Sequence, residues 1–117
     1  MPSPIVTTED TFKALQALTG TGSAYAVANM MGVSRVTAGY WRTGKVVIDD
    51  AHALKAATLL GWDADHVLAC LAAERAARAG SDETAAVWRH VALRLATAAS
   101  VVFLGVYSVF LIHGPVL

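Results

Sequence analysis

Through the first eighty positions, apolar residues recur at helical spacing and are punctuated by glycine. From Thr8 to Leu18, Phe12, Leu15 and Leu18 form one stripe. Thr7 or Thr8 can cap that helix, Glu9 and Asp10 suit the positive end of its dipole, and Thr19-Gly20-Thr21-Gly22 ends it. A second helix follows Ser23 and places Val27, Ala28 and Met31 on one face. Gly32-Val33 makes a tight turn, and a third helix starts on Ser34 as N-cap. Trp41 is its apolar anchor and Gly44 closes it. A loop, Lys45 to Asp49, leads to a fourth helix over about Asp50 to Leu60, capped by Asp49, with Ala53, Leu54, Ala57 and Leu60 as its buried face. Gly61 stands where a left-handed C-terminal residue belongs. Asp63 caps a fifth helix. Val67, Leu68 and Leu71 face the core there with Cys70 beside them, and Gly80 stops it. No strand pattern is present. The expectation is an all-α fold, five short helices around one small core.

The pattern changes at Gly80-Ser81-Asp82. A new helical segment begins there and carries Trp88, Arg89 and Arg94. From Leu95 to Ile112, 18 residues pass without a formal charge. As a helix they span roughly 27 Å, close to the thickness of a bilayer core. The competing reading is an apolar helix buried inside the domain, but a domain of this size has no room to wrap one on every side. The expected organisation is therefore a helical domain over residues 1–80, a juxtamembrane helical linker over 81–94, and a single transmembrane helix with a short tail over 95–117. Arg75, Arg78, Arg89 and Arg94 all precede the span, which places the N-terminal domain on the cytoplasmic side. The lipid bilayer is thus one expected partner.

Composition sharpens this picture in two ways. Hydrophobic residues make up 56% of the chain and its mean hydropathy is +0.51, with the excess concentrated past Val91. Net charge is zero, which counts against a generally basic nucleic-acid binder, yet the charge is unevenly placed. No acid occurs between Thr11 and Ile48, where Lys13, Arg35, Arg42 and Lys45 lie. The N-terminus has no basic n-region or apolar core of a signal peptide. One cysteine excludes an internal disulfide.

The stretch SAYAVANMMGVSRVTAGYWRTGK, Ser23 to Lys45, has the pattern of a helix-turn-helix motif. It resembles the Cro/repressor family, also called XRE or lambda-repressor-like. Asp49 to Ala76, including the Leu-Leu-Gly-Trp-Asp junction, resembles that family's fourth and fifth helices, so the resemblance covers roughly Thr8 to Arg78. It implies a five-helix lambda-repressor-like DNA-binding domain whose third helix enters the major groove. The layout of such a domain with a C-terminal apolar helix also resembles small proteins of filamentous phages and prophages.

The resemblance implies double-stranded DNA as partner. Arg35, Val36, Thr37 and Tyr40 would face base edges, with Arg35 able to reach guanine O6 and N7 bidentately. Ser34, Arg42, Thr43 and Lys45 would lie beside the phosphates. Tyr40 reads equally well as a solvated residue, and Trp41 as core. Two positions depart from the family. Ala24 stands where many relatives have a glutamine that contacts the DNA backbone. Gly39 lies inside the recognition helix, which suggests a softer helix or one that needs close approach of a neighbour.

Other chemistry is sparse. His66 and Cys70 are four apart on one helix face, but two ligands do not close a zinc site. His52, His90 and His113 have no partner pattern, and Arg75 and Arg78 read as solvated helix-end charges. No carboxylate pair, Ser–His set or Gly-rich phosphate loop suggests an enzyme, and no cofactor or metal is expected. Ala92, Ala96 and Ser100 form a small-residue stripe that permits helix pairing, hence a homodimer in the membrane. Two functions follow as expectations. One is a membrane-anchored DNA-binding protein at the bacterial inner membrane, a regulator or a DNA tether. The other is a membrane adaptor whose helical domain binds protein.

Overall fold

The helix ends are where local sequence chemistry shows most directly. In the computed structural model, which describes residues 4–96, the order is α1 Thr8–Thr19, α2 Ala24–Met31, α3 Arg35–Thr43, α4 Asp50–Leu60 and α5 Ala64–Arg78. A further helix, α6, is continuous from residue 82 to residue 96, where the description stops. The described residues are all-α and contain no strand. Thr7 opens α1 with a reciprocal box: its hydroxyl accepts from the Asp10 amide at 3.1 Å, and the Asp10 carboxylate accepts from the Thr7 amide at 3.0 Å. Ser23, Ser34 and Asp49 cap α2, α3 and α4 through their side chains. Asp63 occupies the corresponding position before α5 but makes no side-chain cap bond, so its expected role is not realised. The α2–α3 turn and the end of α3 close on Gly32 and Gly44, both left-handed, with the next amide reaching back five residues.

One cluster, built from α1 to α5, holds Phe12, Leu15, Val27, Ala28, Met31, Ala38, Trp41, Ile48, Val67 and Leu71. The inner face of α4 is Ala53, Ala56 and Ala57. Of the expected face, Ala53 and Ala57 are buried and Leu60 is half-buried against the core, but Leu54 points outward at 50% exposure and Ala56 takes its place. The reason is space. This helix touches α1, α2 and α5, and three alanines let the axes approach where leucines would not fit. Leu18 likewise ends the α1 stripe outside the core.

A second cluster joins Val6, Ala69, Cys70 and Ala92. The chain reverses at Gly80, and α6 folds back on α5 through buried Ala85 and Ala92. The body therefore continues past Gly80, and the stretch expected as a linker packs on it. Ala92 is fully buried against its own chain, which removes it from a stripe open to a second copy. Ala96, the second residue of that stripe, is half-buried, whereas Ser100 and the expected span from residue 97 onward lie outside the described residues. Among the described residues no helix is long and apolar enough to cross a membrane.

Candidate nucleic-acid interface

The outer side of α3 is set by what holds its inner side. Ala38 and Trp41 are buried, three apart, and fix the helix rotation. The Trp41 ring packs against the His52 ring, with centroids 5.5 Å apart and a tilt of 57°. His52 in turn bonds Asp49 through Nδ1 at 2.7 Å. Partial burial pushes the Asp49 carboxyl up, but the His52 side-chain bond, the His52 amide and the attraction of that ring together carry it below its usual value. The anchor of α3 thus leans on the capped start of α4.

With that face inward, Arg35, Val36, Tyr40 and Arg42 face outward, Val36 at 62% exposure. Thr37 is half-buried at the helix start. The Ser34 hydroxyl donates to the Thr37 hydroxyl at 3.0 Å while accepting from the Thr37 amide at 3.1 Å. This leaves the Thr37 proton free to donate outward. The Thr43 hydroxyl behaves differently. Its proton is directed to the Gly39 and Tyr40 carbonyls, at 3.3 and 3.4 Å, so it offers an outside partner only acceptor capacity.

Two cations on this side rest on aromatic rings. The Arg35 guanidinium lies 4.9 Å from the centroid of Tyr25, an α2 residue, and Lys45 Nζ lies 4.8 Å from that of Tyr40. Such contacts hold a cation without neutralising it. Among the described residues, the ion pairs join His52 to Asp49, Arg75 to Asp50 and Arg78 to Glu74. Arg35, Arg42 and Lys45 take part in none.

The loop after α3 is fastened from a distance. Arg75 Nη2 donates to the Ile48 carbonyl at 3.0 Å, and Arg78 Nη1 donates to the Lys45 carbonyl at 3.1 Å. The Ile48 amide donates to the Thr8 hydroxyl at 3.2 Å, and Thr8 donates through both amide and hydroxyl to Glu74 at 2.9 and 2.8 Å. Arg75 and Arg78 are therefore loop clamps rather than solvated helix-end charges. They fix where Lys45 leaves α3.

Three neighbours of this face were not legible in the motif. Tyr25 backs Arg35. Lys55 of α4 comes beside the α2–α3 turn, its Nζ 3.6 Å from where a Gly32 side chain would begin. Glu9 of α1 lies over Gly44, with Oε1 2.5 Å from the position of an added Cβ. Glu9 brings an acid to the C-terminal end of a face whose own sequence window has none. No spacing rule could reveal these approaches, because each joins separate helices. Gly39 needs no neighbour: a Cβ there would meet nothing within 4 Å.

Away from α3, the His66 ring is buried and bonds the Ala92 carbonyl at 2.8 Å through Nδ1, which must carry the proton. Nε2 then accepts from the Cys70 thiol at 3.5 Å. Burial pushes that thiol up, against a smaller opposing bond to the Val6 backbone, which keeps it protonated as this arrangement requires. The pair holds α6 on α5. Among the described residues no three His, Cys, Asp or Glu side chains are grouped to hold a metal ion.

The α3 side is thus a helical face with unpaired cations, aromatic support and outward hydroxyl and apolar groups. Comparison with protein-family models, curated proteins and solved structures found no match for the chain.

Proposed function

We propose that this is a helix-turn-helix DNA-binding protein of the Cro/repressor type, anchored at a bacterial inner membrane by its apolar segment 95–112. It would act as a transcriptional regulator or DNA tether, with its helical domain in the cytoplasm. One observation carries the DNA reading: α3 turns Arg35, Val36, Tyr40 and Arg42 outward together, and the cations among them have no carboxylate partner. An unpaired cation row on an exposed helix is suited to phosphate and base edges. Arg35 and Thr37 have donors for base readout. Arg42 and Lys45 supply salt-dependent attraction, and Ser34 lies beside them at the helix start. The anchor rests on the length and lack of charge of the 95–112 stretch.

The test is DNA binding by the full chain in lipid nanodiscs, against genomic fragments of its source organism. Arg35→Ala should weaken binding by about 1–3 kcal/mol and relax the preference at one base position. Arg42→Ala should weaken all sequences alike and lower the salt slope by about 1. No retardation at low salt overturns the proposal. A second reading, a membrane adaptor that binds protein, is favoured by zero net charge and by the open apolar groove described next. Capture of a protein partner that survives Arg35→Ala would support it.

A further inference from the structure

Between α5 and α6 runs an open apolar groove of about 550 Å³. Leu68, Ala72 and Ala76 line it from α5, and Trp88, Val91 and Leu95 from α6. Each set recurs every three or four residues, so each forms one straight stripe. The helices are antiparallel after the reversal at Gly80, and Ala69 adds to the lining between them. The α5 wall is low because its apolar lining residues other than Leu68 are alanines. Trp88 stands above it at 40% exposure. Two facing apolar stripes on neighbouring helices make a seat for a third helix. At the rim, Arg75 is engaged by the Ile48 carbonyl and Asp50, and Asp65 is exposed to solvent.

The chain itself supplies an occupant of matching chemistry. Leu95 lines the groove and lies two positions before residue 97. Residues 97–117 contain no Asp, Glu, Lys or Arg, and Val101 to Ile112 is dominated by Val, Phe, Leu and Ile. From Leu68 to Ala79 the groove is roughly 16 Å long, the length of about eleven helical residues. The stretch 101–112 is long enough to cover it.

We propose that, in water, the groove is the docking site of this chain's own segment 101–112, so that groove and bilayer compete for one apolar sequence. The proposal shares its segment with the membrane reading but does not rest on insertion.

The test uses the full chain with Trp88→p-benzoylphenylalanine, irradiated without lipid and analysed by mass spectrometry. An equal mixture of unlabelled and isotope-labelled chains separates intrachain from interchain products. A short tether gives an effective concentration of roughly 1 mM, so at about 10 µM protein the intrachain product should exceed the interchain one by about a hundredfold. The cross-link should fall in residues 101–112. Products mainly between labelled and unlabelled chains would assign the groove to a second copy and overturn the proposal. So would a lack of any adduct to 101–112, or a chain that stays monomeric only in detergent.

Repeating the irradiation with phosphatidylethanolamine/phosphatidylglycerol vesicles separates the two ideas. If the chain floats with the vesicles and the adduct disappears, both stand. If the adduct persists and the chain stays in solution, docking stands and the anchor fails. If the chain floats but gave no adduct in water, docking fails and the anchor stands.

Discussion

The outer face of α3 and the groove between α5 and α6 are both open surfaces, but they lack opposite things. The α3 face exposes cations that form no ion pair, two of them held by Tyr25 and Tyr40 through ring contacts that leave the charge intact. Around the groove the arginine and the buried imidazole are already bonded, to Ile48, Asp50 and Ala92, and what stands open is apolar. Water tolerates the first surface well, because an exposed guanidinium is fully hydrated, and tolerates the second poorly. The first therefore calls for a partner of opposite charge and the second for one of like apolarity. A single ligand does not suit both.

If that contrast is real, the two regions should also depend on different parts of the core. Trp41 sits in the cluster shared by α1 to α5, whereas His66 ties α6 to α5 beside a separate small cluster. Trp41→Ala should cost about 3–5 kcal/mol of global stability, read by urea unfolding. His66→Ala should cost less, roughly 1–3 kcal/mol, by leaving polar groups of Cys70 and Ala92 without a partner. Its signature in hydrogen exchange is early loss of protection in α6 while α2 and α3 keep theirs. Equal loss of protection in α3 and α6 would show that the two regions form one unit, and the contrast would collapse.

The same contrast explains what sequence could and could not reveal. Helix ends were legible because their causes are local: Ser34 and Asp49 cap through amides three residues on, and Gly32, Gly44 and Gly61 take the left-handed turn. Trp41 was legible as core because no other large apolar residue anchors α3. The inner face of α4 was misread at one position. Periodicity finds Ala53, Ala57 and Leu60 but takes Leu54 in place of Ala56, because close approach of three neighbouring helices selects the smaller residue. Arg75, Arg78 and Glu74 were illegible as clamps because their partners lie 27, 33 and 66 residues away. The burial of His66 was hidden for the same reason, since its carbonyl partner is 26 residues distant. On the α3 face, the candidate contacts could be taken from one helix, but Tyr25, Lys55 and Glu9 come from three others.

A finer division lies within the α3 region, between its two glycines. Gly44 has φ 74°, and an added Cβ would meet Glu9 as well. Gly44→Ala should destabilise by about 1–2 kcal/mol, the cost of a left-handed non-glycine residue, since the Glu9 side chain can swing away. Gly39 is helical with open space around it, so Gly39→Ala should stabilise by up to about 1 kcal/mol. Thermal unfolding of the two variants should move in opposite directions. A loss of stability in Gly39→Ala would mean that something approaches α3 there, against the open space observed.

The smallest effect concerns how the α3 anchor is propped from α4. Asp49 caps α4 and bonds His52, whose ring meets Trp41. Its folded carboxyl titrates below the ordinary value of 3.8 because the His52 bonds outweigh the upward push of burial. A lowered folded value means that the unfolded chain binds the proton more readily. The contribution is therefore present above pH 3.8 and fades as pH falls through the folded value. Asp49→Asn keeps a side-chain oxygen for the cap but removes the charge. Wild type should be slightly the more stable above pH 3.8, and the difference should vanish in stronger acid. The effect should stay below that of Gly39→Ala, because the Asp49 side chain is 58% exposed and water screens the pair. A difference that persists unchanged in stronger acid would show that the Asp49 charge contributes nothing. The support of Trp41 would then rest on packing against the His52 ring alone.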